Sequence, residues 1–251
     1  LNPPFQENRS RNFYLIAHGC NNKQKVNNAF RQKVNGIECD LWADGKRKWW
    51  ISHGGFMKTD LIEWLTHIKK AEQKFRRQMS IIIFDVKTPK PFTGVREIIN
   101  NHLPPDLSRI YTTATICKAH IFSEIVPWLK PNEGIAIDEE DDPKKVATFF
   151  NSIGAKQCWY ANGITFIPMN EKFHVSLKEA ATIRDSTGPF SKIYTWSVHR
   201  KEALRKYIEE DKVDAVVVGL NNILTRPVSH ALKIISANSE IQFAGRNSPL
   251  F

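Results

Sequence analysis

No apolar run in this 251-residue chain approaches the roughly 20 residues that a membrane-spanning helix requires. CxxC pairs are also missing, which argues against a zinc ribbon or a thioredoxin-like redox site. The four cysteines, Cys20, Cys39, Cys117 and Cys158, are scattered and leave the redox compartment open. There is no RNP or zinc-finger pattern, no repeat, no low-complexity tract and no linker. The opening segment, LNPPFQENRS, is polar and has neither an apolar signal stretch nor an initiator Met, as expected of a processed or trimmed soluble chain.

What is present is positive charge: the net charge is +10 and the pI about 9.4. That balance favours an anionic partner such as a membrane surface, nucleic acid or a phosphorylated substrate. The basic residues are dispersed, with short clusters at 46–48 and 76–77, so a lipid or phosphoester surface ranks ahead of nucleic acid.

Apolar β-rich runs alternate with helical stretches along the chain. Strands are expected at 13–17, 36–41, 80–87, 109–113, 134–138, 157–161, 193–198 and 213–218, and helices at 22–33, 60–78, 94–102, 121–129, 143–153, 176–185, 200–211 and 221–236. Asp60 and Asp142 read as N-caps, the latter with Pro143 in the first helical position. The alternation without a compositional break predicts an α/β fold, a single (β/α)₈ TIM barrel spanning residues 1–251.

Two strands carry polar pairs spaced i, i+2, namely Glu38 with Asp40 in GIECDLW and Asp85 with Lys87 in IIIFDVKT. Residues two apart share a strand face, so each pair aims two charges the same way out of a run that otherwise looks buried. Buried carboxylates need a partner, and for Glu38, Asp40 and Asp85 together a hard divalent cation serves. A buried Asp85–Lys87 salt bridge is the plainer alternative. Cys39 has the opposite parity and belongs to the outer packing layer. His18 ends the run FYLIA, and His53 follows KWWIS. His18, Glu38, Asp40, Asp85, Lys87, Asn162 and Trp196 all fall at strand C-terminal ends, where barrel enzymes place their chemistry. Asp138 ends another strand and can face the same mouth, ahead of an acidic loop through Asp142. The other histidines, His67, His102, His120, His174 and His230, lack this context. Trp49, Trp50, Phe56 and Met57 read as packing or as an interfacial patch.

The ordered motifs AHGCN, GIECDLW, SHGG, FDVKT, WYANGIT, RDS and KIYTWSV resemble the sphingomyelinase D and phospholipase D toxins of spider venoms and corynebacteria, a branch of the glycerophosphodiester phosphodiesterase-like superfamily. The resemblance implies one Mg²⁺ per chain on Glu38, Asp40 and Asp85, with His18 and His53 as the acid–base pair. It further implies Lys87, Asn21 and Trp196 as phosphate and headgroup contacts, and Tyr194 shares the Trp196 face. The implied activity is headgroup-side cleavage of sphingomyelin and lysophospholipids at a membrane surface by a secreted monomer. The ending AGRNSPLF resembles a degenerate form of the tail that plugs the barrel floor in that family.

Three departures accompany the resemblance. Glycerophosphodiesterases read His-Arg-Gly and His-Asp at the two histidines, where this chain has His18-Gly19-Cys20 and His53-Gly54, as the toxin-like branch does. The loop GGFMKTD has no cysteine, so the venom loop disulfide is absent. His199 stands where the venom proteins carry Asp. Two alternatives remain at this level, a glycerophosphodiesterase for small soluble diesters and a noncatalytic lipid-binding barrel.

Overall fold

The computed structural model describes residues 10–46, 48–54, 57–75, 77–138, 142–163 and 171–251. Its strands are β1 (Arg11–Ala17), β2 (Gly36–Ala43), β3 (Trp49–Ile51), β4 (Thr59–Asp60), β5 (Ile81–Val86), β6 (Ser108–Thr113), β7 (Glu133–Ile137), β8 (Cys158–Ala161), β9 (Phe190–Val198), β10 (Ala215–Val218) and β11 (Ile241–Phe243). Eight of them, β1, β2 and β5 to β10, pair in parallel, and β1 closes the ring by bonding both β2 and β10. The helices are α1 (Lys23–Arg31), α2 (Leu61–Lys74), α3 (Thr93–His102), α4 (His120–Ile125), α5 (Pro143–Ser152), α6 (Glu171–Arg184), α7 (Lys201–Arg205) and α8 (Pro227–Ala237). The expected (β/α)₈ barrel is therefore the architecture of the chain.

Strand parity produces two cores. Tyr14, Ile16, Ile83, Ile110, Trp159, Tyr194 and Val217 fill the barrel interior, while Leu15, Ile37, Cys39, Phe84 and Val216 point out to pack under the helices. Cys39 thus sits in the outer layer, as its parity implies. All four cysteines are free. Three of the N-caps are local and legible: the side chains of Asn22, Asp60 and Asp142 each accept from backbone N–H groups in the first turn of their helices.

Several boundaries differ from expectation. The helix expected over 121–129 turns 3₁₀ at Val126, where Pro127 offers no N–H for an α-helical bond. The helix expected over 200–211 is a short α7 followed by a π-helical turn, Lys206–Glu210, in which the Asp211 N–H donates to the Lys206 carbonyl. The helix expected over 221–236 starts only at Pro227, because 221–226 is occupied by a turn. Helix α6 begins earlier than expected, at Glu171. Strand β9 likewise starts earlier, at Phe190, and β10 starts later, at Ala215.

The C-terminal segment closes the N-terminal end of the barrel. Ala244 donates its N–H to the Phe13 carbonyl and accepts from the Ser80 hydroxyl at 2.8 Å and the Asn35 amide at 2.9 Å. Leu250 is buried in the interior core, and its carbonyl accepts from the Trp159 indole at 3.3 Å. The Phe251 ring lies where Gly134 has no side chain, since a Cβ there would come within 2.4 Å of it. With the floor sealed, access to the interior is from the C-terminal ends of the strands.

Candidate active site

The loop after β1 is pinned before it carries chemistry. His18 donates its N–H to the Val218 carbonyl at 2.8 Å, and Cys20 donates to the Glu38 carbonyl at 2.8 Å. Gly19 adopts φ +62°, a left-handed conformation that suits glycine, and this turns its N–H onto Glu38 Oε2 at 2.6 Å. The Trp64 indole holds the Cys20 carbonyl at 2.9 Å, and the Thr59 hydroxyl holds that of Asn21 at 2.9 Å. His53 reaches the mouth by a different route. The chain leaves β2, turns back as the antiparallel strand β3, and Ser52 donates its N–H to the Asp40 carbonyl at 2.9 Å.

These routes converge on a cleft of about 630 Å³ at the barrel mouth, lined by His18, Glu38, Asp40, His53, Asp85 and Lys87 with Asp138, Tyr194 and Trp196. Ile83 and Val217 form its apolar part. Asn21 stands behind the wall, gripping Asp40 from two directions. Its side-chain amide donates to Asp40 Oδ2 at 2.6 Å, and its side-chain Oδ1 accepts the Asp40 N–H at 2.9 Å. Asn162 also lies outside the cleft wall, and its amide donates to the Ser176 hydroxyl at 3.0 Å.

Asp40 is the hub of the site. His53 Nδ1 lies 3.3 Å from its Oδ2 and Lys87 Nζ 3.3 Å from its Oδ1, while Lys87 also pairs with Asp85. Burial works to raise the Asp40 pKa, but Lys87, Asn21 and His53 outweigh it and leave the carboxyl below its ordinary value. Burial likewise opposes the charge on Lys87, yet Asp85 and Asp40 hold it protonated more firmly than usual. Glu38 goes the other way: burial, Asp40 and Asp85 all push its pKa well up, against one Gly19 N–H and the more distant Lys87. His18 lies with Nε2 at 3.8 Å from Glu38 Oε2, and desolvation pulls its pKa down to about 4 against the attraction of Asp40. The imidazole is therefore neutral at neutral pH, the form that can accept a proton, though desolvation makes it a weaker base. His53 differs in being 80% exposed at its side chain.

The donor set fits a hard cation. Carboxylate oxygens of Glu38, Asp40 and Asp85 lie within 4.8 Å of one another, and all three are oxygen ligands of the kind Mg²⁺ and Ca²⁺ prefer. Burial first, and then Asp40 and Asp85, raise the Glu38 pKa, a cost that a bound cation would offset.

Asp138 is the wall residue whose role the sequence only hinted at. Its carboxylate lies 3.4 Å from the Tyr194 hydroxyl, and its carbonyl accepts from the Trp196 indole at 2.7 Å. The aromatic side of the cleft is thus tied to an anion, an arrangement suited to a cationic headgroup.

Comparison with known proteins agrees with this geometry. The family described as Sphingomyelinase D/Phospholipase D matches residues 8–230. A dermonecrotic toxin of Loxosceles arizonica, LarSicTox-betaID1, is 22% identical over 277 aligned positions, covering 94% of this chain and 90% of the toxin. Among solved structures, a glycerophosphodiester phosphodiesterase from Parabacteroides distasonis superposes with a TM-score of 0.62 at 14% identity, covering 91% of this chain and 99% of that one. An Oleispira antarctica phosphodiesterase, solved with its product sn-glycerol-3-phosphate, gives a TM-score of 0.60 at 13% identity, with 89% and 96% covered. At such identities the two structures are similar to this chain in fold.

Proposed function

The chain belongs to the sphingomyelinase D/phospholipase D family of phosphodiesterases, and from that premise we propose that it is an Mg²⁺-dependent phospholipase D acting on sphingomyelin and lysophospholipids. The observation that carries this reading is the convergence of three carboxylates, Lys87 and two histidines on one cleft with an aromatic, Asp138-backed wall. In this reading one barrel domain spans the chain, and Glu38, Asp40 and Asp85 hold one Mg²⁺ per chain. When bound, that ion supplies Lewis acidity toward the nonbridging phosphate oxygens.

The chain's own residues do the rest. Lys87 contacts the phosphate and helps to neutralise the charge that builds up on it. Tyr194 and Trp196 receive the choline or ethanolamine headgroup. His18, neutral and desolvated, takes the proton of the attacking hydroxyl. His53, at the exposed rim, donates a proton to the departing headgroup oxygen. Asn21 fixes the rotamer of Asp40 and acts through it.

The apolar residues Ile83 and Val217 in the cleft favour attack by the substrate's own hydroxyl over attack by water. An intramolecular hydroxyl held beside phosphorus carries an effective molarity of roughly 10⁵ M or more in well-oriented cases. The first product is then a cyclic ceramide phosphate, or a cyclic phosphatidate from lysolipid. Only open-chain monoester in early ³¹P NMR, with solvent ¹⁸O from the first turnover, would replace cyclisation with hydrolysis.

The protein meets its substrate as a secreted monomer at a membrane surface. Trp50 contributes there with Lys48 Nζ 4.2 Å and Lys58 Nζ 5.7 Å from its ring, beside Met57, which is 88% exposed. Phe56, expected in the same patch, lies outside the described residues. The fold is equally that of glycerophosphodiester phosphodiesterases, and one assay separates the readings. Headgroup release from sphingomyelin vesicles and from glycerophosphocholine is measured with and without EDTA. EDTA-sensitive release from sphingomyelin supports the proposal, and release confined to glycerophosphocholine overturns it.

A further inference from the structure

The turn between β10 and α8 sits on the same barrel face as the cleft, and it is built rather than loose. Asn222 donates its N–H to the Thr225 carbonyl at 2.9 Å, and its side-chain oxygen accepts from the N–H groups of Leu224 and Thr225, both at 2.8 Å. Asn221 anchors the base of the turn. Its N–H donates to Gln32 Oε1 at 2.8 Å, and its amide donates to the Ser229 hydroxyl at 2.9 Å. This frame holds Ile223 98% and Leu224 91% exposed, the largest exposures among the described large hydrophobic side chains. Two aliphatic side chains fixed in water at the tip of a braced turn call for a partner that covers them.

Beside this tip lies a second, open hollow of about 840 Å³, separate from the catalytic cleft. Arg200, Lys201 and Arg226 line it with His199 and His230, against a single acid, Glu202. Among the described residues, Arg200, Lys201 and Arg226 have no carboxylate within ion-pair distance. Two basic groups elsewhere on the same face are paired, Lys48 with Asp60 and Lys87 with Asp85. Unpaired cations beside exposed aliphatic side chains match the cross-section of a bilayer surface, with anionic headgroups above acyl chain.

We propose that the β10–α8 turn is a docking surface for anionic phospholipid bilayers. Ile223 and Leu224 insert at the headgroup boundary, and Arg200, Lys201 and Arg226 receive anionic headgroups. The surface serves the membrane activity proposed above, but it binds lipid without using any residue of the catalytic cleft. Because the hollow and the cleft open on one barrel face, docking here turns the catalytic mouth toward the bilayer.

The test is cosedimentation in EDTA, which stops the proposed turnover, with vesicles of phosphatidylcholine alone or mixed with phosphatidylserine. The wild-type chain is compared with Ile223→Ser/Leu224→Ser and with Lys201→Glu/Arg226→Glu. Each basic side chain near an anionic surface strengthens binding about fivefold, so the charge-reversal variant loses roughly 30-fold or more on mixed vesicles. Its binding to phosphatidylcholine alone is unchanged. The Ser variant loses at least about tenfold on mixed vesicles. Unfolding midpoints matching wild type show that both variants are folded. Equal binding of all three proteins to mixed vesicles overturns the proposal. So does displacement of wild type from vesicles by soluble glycerophosphoserine with no dependence on Ile223 and Leu224, which would mark a free-phosphate site. Turnover of a monomeric lysolipid, measured separately with Mg²⁺, stays at wild-type level in both variants. Its absence in wild type alongside intact vesicle binding sinks the catalytic reading and leaves the docking surface standing.

Discussion

Two buried glutamates sit at opposite ends of the same barrel and have opposite fates. Glu133, at the floor, is fully buried, and burial works to raise its pKa. Arg96, the Lys130 N–H and Asn100 outweigh that and hold it below the ordinary value. Its partners are complete: Arg96 pairs with it, Asn100 donates at 2.7 Å and the Tyr111 hydroxyl at 2.9 Å. Glu38, at the mouth, is 6% exposed and faces two more carboxylates, and its pKa is pushed well up. The floor is an electrostatically closed structure. The mouth is left short of positive charge, a deficit that a bound cation would offset.

Four experiments break or sharpen that contrast. The largest effect is expected at the hub. Asp40→Asn should reduce headgroup release to background while the thermal unfolding midpoint shifts little, since relief of repulsion with Glu38 and Asp85 offsets the lost pairing with Lys87 and His53. Full activity after exhaustive chelation of the wild-type protein would defeat the cation half of the argument. Next, Arg96→Ala leaves Glu133 buried without its charge partner and should cost about 3–5 kcal/mol of stability in urea unfolding. Activity per folded molecule should be unchanged, and a small stability loss would mean that the floor is less tightly compensated than its contacts imply. Third, Asn21→Ala frees Asp40 from its clamp and should weaken Mg²⁺ binding by about 10–100-fold, measured by calorimetry. Unaltered affinity would show that Asn21 serves the fold alone. The smallest is spectroscopic. In cation-free protein, NMR should find the His18 ring gaining its proton only as pH falls to about 4, so that it is neutral throughout the range above. Titration near the ordinary histidine value would show that desolvation does not set its protonation state.

Much of this was readable in the chain because it rests on parity and on local caps. Glu38 and Asp40, or Asp85 and Lys87, two apart in apolar strands, must share a face. Of the residues expected at the site from sequence, eight line the cleft, and Asn162 and Asn21 do not. Asn21 shows where reading stops: a polar residue after a strand looks the same whether it touches substrate or braces Asp40, and only the two hydrogen bonds distinguish them. Strands β3 and β4 are too short to display a period of two, yet they deliver His53. The π turn and the Asn222-braced turn fall inside spans whose sequence predicts helix, 200–211 and 221–236. The π turn departs from α geometry through a backbone bond that composition does not encode, and the other through the Asn222 side chain, which accepts from two N–H groups and so competes with a helix.

The seam between the first and last parts of the barrel also bears on how the protein is made. Tyr14 pairs with Ala215, and Phe13 with Phe243, so β1 waits for partners about 200 residues downstream. At translation rates of roughly 5–20 residues per second, that delay is on the order of ten to forty seconds. During it, β1 has one edge open and a string of apolar side chains along it, the kind of edge that recruits foreign strands. Ring closure is thus a late event of biosynthesis, and until then the open edge of β1 must be kept from other strands.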